Sequence, residues 1–378
     1  MSSEAHGLRP VWGEVDLDAV RANTRVLAEL ARPASLLAVV KADAYGHGAV
    51  PVARAALEAG ATWLGVALVE EGAALRDAGV DAPILVLSEP APAAASAVVA
   101  HRLTPVVYTP VGIEALAKAV VEAGGDVPVP VHLKVDTGMH RVGCRVEDAV
   151  GLVAAIGARP ELILEGICTH LAVADEPDHP YTTDQVERFD ALLDDLERAG
   201  VRPPLAHAAN SAGLLANPRA HYDLVRVGIA LYGIPPSDAL ADRTELAPVL
   251  SLRARVAHVK ELPAGSRVSY GLRYELGRVG RIATVPVGYA DGVPRNLGLV
   301  GGEVLVRGRR FPVAGTVTMD QLMVDVGTAP VEVGDDVVLL GRQGDEEITA
   351  GEWARRLGTI AYEIVTGIGP RVPRRYVG

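Results

Sequence analysis

Lys41 stands directly after an apolar run, Leu36-Leu37-Ala38-Val39-Val40, and opens the segment Lys41-Ala42-Asp43-Ala44-Tyr45-Gly46-His47-Gly48. The run reads as a buried strand and the segment as a glycine-bracketed turn. A lysine at that point sits at the mouth of an α/β sheet or barrel, where chemistry is done. Partly desolvated, it can lose its proton, form an imine with an aldehyde and shuttle protons. The same spacing also fits a solvated lysine that closes a strand, so the rest of the chain decides.

Further polar groups follow later strand-like runs. Lys134, Asp136 and Arg141 follow one, and His170 follows another. His207, Asn210 and Ser211 follow a third, and Arg226 ends a fourth, just ahead of Gly228 and Ile229. Taken singly, Arg226 also fits an ion pair, His170 a core histidine, and Asn210-Ser211 a helix N-cap. Together they fill the catalytic rim of a barrel. The Asn210–Gly213 and Arg226–Ile229 segments suit a phosphate, bound by backbone N–H groups, a serine hydroxyl and a tyrosine phenol. A phosphate site beside an imine-forming lysine points to pyridoxal phosphate. The C-terminal third adds loop motifs: Ser269-Tyr270-Gly271, Gly288-Tyr289-Ala290-Asp291-Gly292 and Met319-Asp320-Gln321. A tyrosine at a strand end fits packing as well as acid/base work.

The elements that must position these groups read as two patterns. Strand candidates at 36–40, 63–67, 84–87, 105–108, 129–135, 162–168, 205–208 and 224–227 alternate with alanine-rich helical stretches such as 49–59, 111–123 and 184–199. Several of those helices run to a glycine, as at Gly60, Gly79, Gly124 and Gly200. Eight strands with helical crossovers predict a (β/α)8 TIM-type barrel over residues 16–240. A doubly wound sheet is disfavoured, since no glycine-rich dinucleotide fingerprint appears. After Gly233 the runs become short and rich in Val and Arg: 252–259, 281–287, 303–306, 311–314 and 337–340, with one helix near 350–357. That predicts a mainly antiparallel β domain over 241–378, reached through a polar linker at 237–247. Residues 1–11 are expected to be mobile.

Composition bounds the function classes. The 378-residue chain carries a formal net charge of -11 without a basic patch, against a nucleic-acid partner. Its two cysteines, Cys144 and Cys168, have neither metal-ligand spacing nor a disulfide framework, so no metal is expected. No signal-peptide core and no membrane span is seen, which reads as a cytoplasmic protein.

These motifs, in order from Trp12 to Tyr376, resemble those of bacterial alanine racemases, the barrel-type (fold-type III) pyridoxal-phosphate enzymes. The resemblance implies a head-to-tail homodimer in which the partner's C-terminal domain completes each active site. It also implies that an N-terminal strand, here 12–15, joins the β domain. Lys41 is implied to carry the cofactor and act on one face of the substrate, with Tyr270 of the other subunit on the opposite face. Tyr45, Asn210, Ser211, Gly228 and Ile229 are implied cofactor contacts, Arg226 the partner of the pyridine nitrogen, and His170 the link from Tyr270 to Arg226. Arg141 and the Met319 amide would hold the substrate carboxylate. Tyr289 and Asp320 support the site, with Asp175 and Arg295 further out. Lys134 matches a lysine carbamylated in many members, a change that would turn repulsion of Arg141 into attraction. One departure stands out: Pro370 occupies the place where some members have a phosphate-binding tyrosine. The expected activity is interconversion of L- and D-alanine. The alternatives are a racemase of broader amino-acid scope, a fold-related decarboxylase and a non-catalytic pyridoxal-phosphate carrier.

Overall fold

A computed structural model describes residues 8–125 and 127–378. Residues 1–7, within the segment expected to be mobile, lie outside the described residues. The chain separates into two compact units. Among the described residues, one comprises residues 20–44 and 49–247, the other residues 8–19, 45–48 and 248–378.

The first unit is a parallel barrel. Its strands run in the order Leu224–Val227, Ser35–Val39, Trp63–Val66, Ile84–Val86, Thr104–Val107, Val129–Asp136, Leu162–Cys168, Leu205–His207. The eight expected strands are all present, with ends shifted by at most two residues. Most are Val- and Leu-rich because both faces are covered, one by the barrel interior and the other by helices. The Tyr181–Arg198 helix shows how the outer layer packs: it buries Val186, Phe189, Leu192, Leu193 and Leu196. The ladder is open between Leu205–His207 and Leu224–Val227. Backbone bonds bridge that gap, from Asp223 N–H to the Ala206 carbonyl (3.0 Å) and from Arg226 N–H to the Ala209 carbonyl (3.0 Å). Segment 237–247, expected as a linker, instead packs on the barrel unit. Leu240 there is 1% exposed, and Asn23 clasps Ala247 through two bonds of 2.8 Å.

The second unit is built on β-sheets. Its main sheet runs Arg309–Pro312, Glu303–Val306, Asp336–Gln343, Leu250–Arg255, Val11–Asp16, Arg374–Val377. Val11–Asp16 pairs antiparallel with Leu250–Arg255 and parallel with Arg374–Val377. The expected single strand over 252–259 is two strands in different sheets. Leu250–Arg255 alternates buried residues with half-buried or exposed ones in the main sheet, while His258–Leu262 pairs with Gly280–Val285. The break falls where Val256 N–H turns to Asp335 and Ala257 N–H to Thr284. The Ala350–Leu357 helix lies where expected, and its N-cap Thr349 accepts from Glu352 N–H.

Candidate functional site

Lys41 follows Val40, whose N–H donates to the Gly65 carbonyl at 2.8 Å. The Tyr232 hydroxyl donates to the Val39 carbonyl at 2.9 Å and pins the same strand end. The segment after Lys41 is not an ordinary glycine turn. Ala42, Asp43, Ala44 and Tyr45 all have φ between 51° and 54°, so Lys41–Gly46 is a left-handed turn made of side-chain-bearing residues. Each such residue costs on the order of 1–2 kcal/mol against the right-handed form. Among the bonds that oppose that cost are those from Ala44 N–H to the Val40 carbonyl (2.8 Å), Ala49 N–H to Asp43 Oδ1 (2.7 Å) and Ala42 N–H to Glu71 Oε1 (2.6 Å). Burial lowers the Lys41 ammonium from its usual range, the Arg141 guanidinium lowers it further, and Glu71 opposes them. Burial raises the Tyr45 phenol to about 12.

Arg226 is 6% exposed and donates in several directions. One terminal nitrogen meets His207 Nδ1 at 2.8 Å. The other meets the Thr169 carbonyl (2.8 Å), the Ala208 carbonyl (3.0 Å) and His170 Nδ1 (3.1 Å). A guanidinium can only donate, so both imidazoles accept at Nδ1 and carry their proton on Nε2. His207 Nε2–H then donates to His132 Nδ1 at 2.8 Å. That places the His132 proton on Nε2, facing Glu165 Oε2 across 3.4 Å, longer than a full hydrogen bond. The direction of this chain is set by the one member that cannot accept. Desolvation, then the Arg226 charge, holds His207 and His170 well below the usual histidine range. Burial lowers His132 too. The strand register shifts between Val131 and His132, and Gly166 makes room for the ring: a Cβ there would meet His132 Nδ1 at 2.6 Å.

Lys134 is 8% exposed and is lowered first by burial, with Arg226, Arg141 and Lys41 adding to the effect. Four cationic side chains thus crowd one end of the barrel. Among the described residues, the groups that accept from Arg226 are two imidazoles and two backbone carbonyls, all neutral. Such a donor set is completed by an anionic, acceptor-bearing ligand. Nearby, Ser211 Oγ accepts from Gly228 N–H (2.9 Å) and Ala230 N–H (3.3 Å), which draws Ser211 and the Gly228–Ile229 backbone into one buried cluster. Asn210 caps the Ser211–Ala216 helix, with its Oδ1 accepting Gly213 N–H at 2.9 Å. The basic cluster, the donor-only Arg226 and the serine cluster fit pyridoxal phosphate.

The second unit gathers the other expected residues. Thr316 Oγ1 donates to the Tyr270 carbonyl at 3.0 Å. Tyr289 and Ala290 N–H groups donate to the Thr318 and Met319 carbonyls, both at 3.0 Å. Asp291, fully buried, holds this loop from below by accepting Gly288 N–H (2.9 Å) and both arms of Arg9 (2.6 and 2.9 Å). Asp320 pairs with Arg371 at 2.7 Å. Tyr270 is 70% exposed, Met319 51% and Tyr289 40%.

Sequence reasoning missed His132, Glu165, Glu71 and Arg9. A histidine inside the apolar run 129–135 was the available signal for His132. The other three act through contacts between positions distant in sequence, which no local pattern announces. Among the described residues no group of three His, Cys, Asp or Glu side chains could hold a metal ion, and no helix is long and apolar enough to cross a membrane.

Comparison with known proteins agrees with this geometry. The family model described as alanine racemase, N-terminal domain, matches residues 15–236, and that for the C-terminal domain matches residues 249–376. The chain is 53% identical to an alanine racemase of Symbiobacterium thermophilum over 373 residues, 98% of each chain. It resembles the solved alanine racemase of Streptomyces coelicolor, with TM-score 0.93 and 45% identity, over 99% of this chain and 100% of that one. It also resembles the Bacillus anthracis alanine racemase with bound L-Ala-P, with TM-score 0.92 and 41% identity, over 99% and 96% of the two chains.

Proposed function

The chain belongs to the alanine racemase family, whose members are pyridoxal-phosphate-dependent isomerases, and on that premise we propose that Lys41 and Tyr270 are the two acid/base groups with which it interconverts L- and D-alanine. When bound, pyridoxal phosphate supplies an aldehyde that condenses with amines and a ring that withdraws electrons, making the substrate Cα–H acidic. Racemisation then needs a proton removed on one face of Cα and another delivered on the opposite face. Two different groups on opposite sides achieve this without turning the substrate.

Lys41 must be neutral to accept a proton, and burial together with Arg141 favours that form. Arg226 would donate to the pyridine nitrogen, and because it cannot give up its proton it would steady the ring without protonating it. Ser211, Gly228, Ile229 and Tyr45 would hold the phosphate. Arg141 and the Met319 amide orient the substrate carboxylate, and Tyr289 lines the way in. His170, with its proton fixed on Nε2 by Arg226, offers a donor that favours the Tyr270 phenolate. Carbamylation of Lys134 gives Arg141 an anionic partner in place of a buried amine. The observation that carries this reading is the half-buried Lys41 amine set among Arg141 and the buried Lys134 and Arg226, the last a guanidinium that among the described residues meets neutral acceptors.

Tyr270 comes from a second copy of the chain, paired head to tail. Its 70% exposure, with that of Met319 and Tyr289, supports a surface completed by another subunit. Mixing inactive Lys41→Ala and Tyr270→Phe subunits tests this. Exchange makes hybrid dimers with one intact site, so about a quarter of the parent activity returns at equal mixing. No recovery after proven exchange refutes the shared site. Solvent-deuterium incorporation at Cα of both alanine enantiomers tests the reaction itself. Carbon dioxide release marks a decarboxylase, and absence of exchange a carrier. Equal rates on serine mark the broader racemase.

A further inference from the structure

We infer that Glu71 is a positioning residue for Lys41, clamping the left-handed turn that presents the lysine. The inference rests on the reading of Lys41 as the cofactor-bearing amine.

The observation is a three-way carboxylate. Glu71 lies in the first turn of the Val69–Asp77 helix, and its Oε2 reaches back to Ala67 N–H (2.8 Å) and Leu68 N–H (3.1 Å). A side chain that only capped its helix would end there. Instead Oε1 extends to Ala42 N–H at 2.6 Å, on the residue next to Lys41. The clamp therefore ties the end of the Trp63–Val66 strand to the end of the Ser35–Val39 strand, its neighbour in the sheet.

The turn needs such a clamp. Ala42 is an alanine at φ 51°, where a Cβ is disfavoured, and it is exposed, so no packing holds it. Left to local preference, Ala42 relaxes to negative φ and the Lys41 side chain swings with it. A charged acceptor is the strongest single restraint on a lone backbone N–H. The same carboxylate puts a negative charge near an amine that Arg141, Lys134 and His170 otherwise surround with positive or neutral groups. Glu71 thus does two things: it fixes where the amine points, and it moderates how readily the amine gives up its proton.

Glutamine at position 71 breaks the three-way contact, because one carbonyl oxygen cannot serve both directions, and the Ala42→Gly rescue then separates loss of the clamp from loss of the cap. In the holoenzyme, Glu71→Gln lowers kcat about ten-fold or more, while KM for alanine changes less than about three-fold. The pH titration of the absorbance of the lysine-bound cofactor moves its midpoint downward, because an anion beside the amine is gone. Glu71→Asp keeps the charge but shortens the reach, so kcat falls while the midpoint stays near the parent value. Adding Ala42→Gly to Glu71→Gln restores a large part of kcat, since glycine adopts positive φ without steric cost. Circular dichroism and cofactor content confirm that each variant is folded and loaded. Parent kcat with an unmoved midpoint in Glu71→Gln overturns the inference, as does a loss of kcat that Ala42→Gly leaves untouched. Failure of borohydride to fix the cofactor on Lys41 in the parent refutes instead the underlying assignment of Lys41.

Discussion

Lowering the pH from about 7.5 to 5.5 destabilises the barrel through its buried imidazoles. His170 and His207 are held neutral in the folded state by desolvation and then by the Arg226 charge, and both lie well below the ordinary histidine range. In the unfolded chain each returns to about 6.5. Above that pH both states are neutral and the groups add no pH dependence. Below it the unfolded chain takes up protons that the folded chain refuses, so stability falls as pH drops toward the folded values. Each group then contributes about 1.4 kcal/mol per pH unit, and the pair about 3 kcal/mol between pH 7.5 and 5.5. His132, also lowered by burial, adds to the loss. The assay is urea unfolding followed by far-UV circular dichroism across this range. His207→Gln removes one titrating group, so the loss shrinks by about 1.4 kcal/mol. At pH 7.5 the same change costs about 1–3 kcal/mol, because Arg226 and His132 lose a buried partner. A stability that stays flat down to pH 5.5, or a pH dependence unchanged by His207→Gln, refutes the argument.

Three other outcomes are expected. Arg226→Glu lowers racemisation and raises conversion of the cofactor to its amine form, because a carboxylate keeps the ring nitrogen protonated where a guanidinium cannot; undiminished racemisation contradicts that role. Ser211→Ala frees the buried Gly228 and Ala230 N–H groups and weakens cofactor binding about ten-fold, measured by absorbance titration of the apoprotein. Arg9→Ala removes the bidentate partner of the fully buried Asp291, leaving among the described residues its Arg371 and Gly288 contacts, and costs about 3 kcal/mol of unfolding free energy, which Asp291→Asn in the same chain partly restores.

Much of the barrel was legible because its strands are local events. Apolar runs bounded by glycine and proline recur with helical crossovers, and the pattern repeats eight times before it stops. The β unit was harder. Residues 252–259 form one uninterrupted run in sequence, yet the backbone there changes sheets, a choice made by Asp335 and Thr284 from far along the chain.

Residue type and order by themselves determined the chemistry on offer: an amine after a buried strand, a guanidinium before a glycine, a serine at a helix start. Those properties travel with the residues and survive any packing. Only the tertiary structure decided how the groups are tuned. It placed Glu71 against Ala42, forced a left-handed turn on residues with side chains, and ran a one-way chain of donors from Arg226 through His207 to His132. Hydrogen-bond direction and desolvation depend on what surrounds a group in space, and positions tens of residues apart supply those surroundings only after the chain has closed on itself.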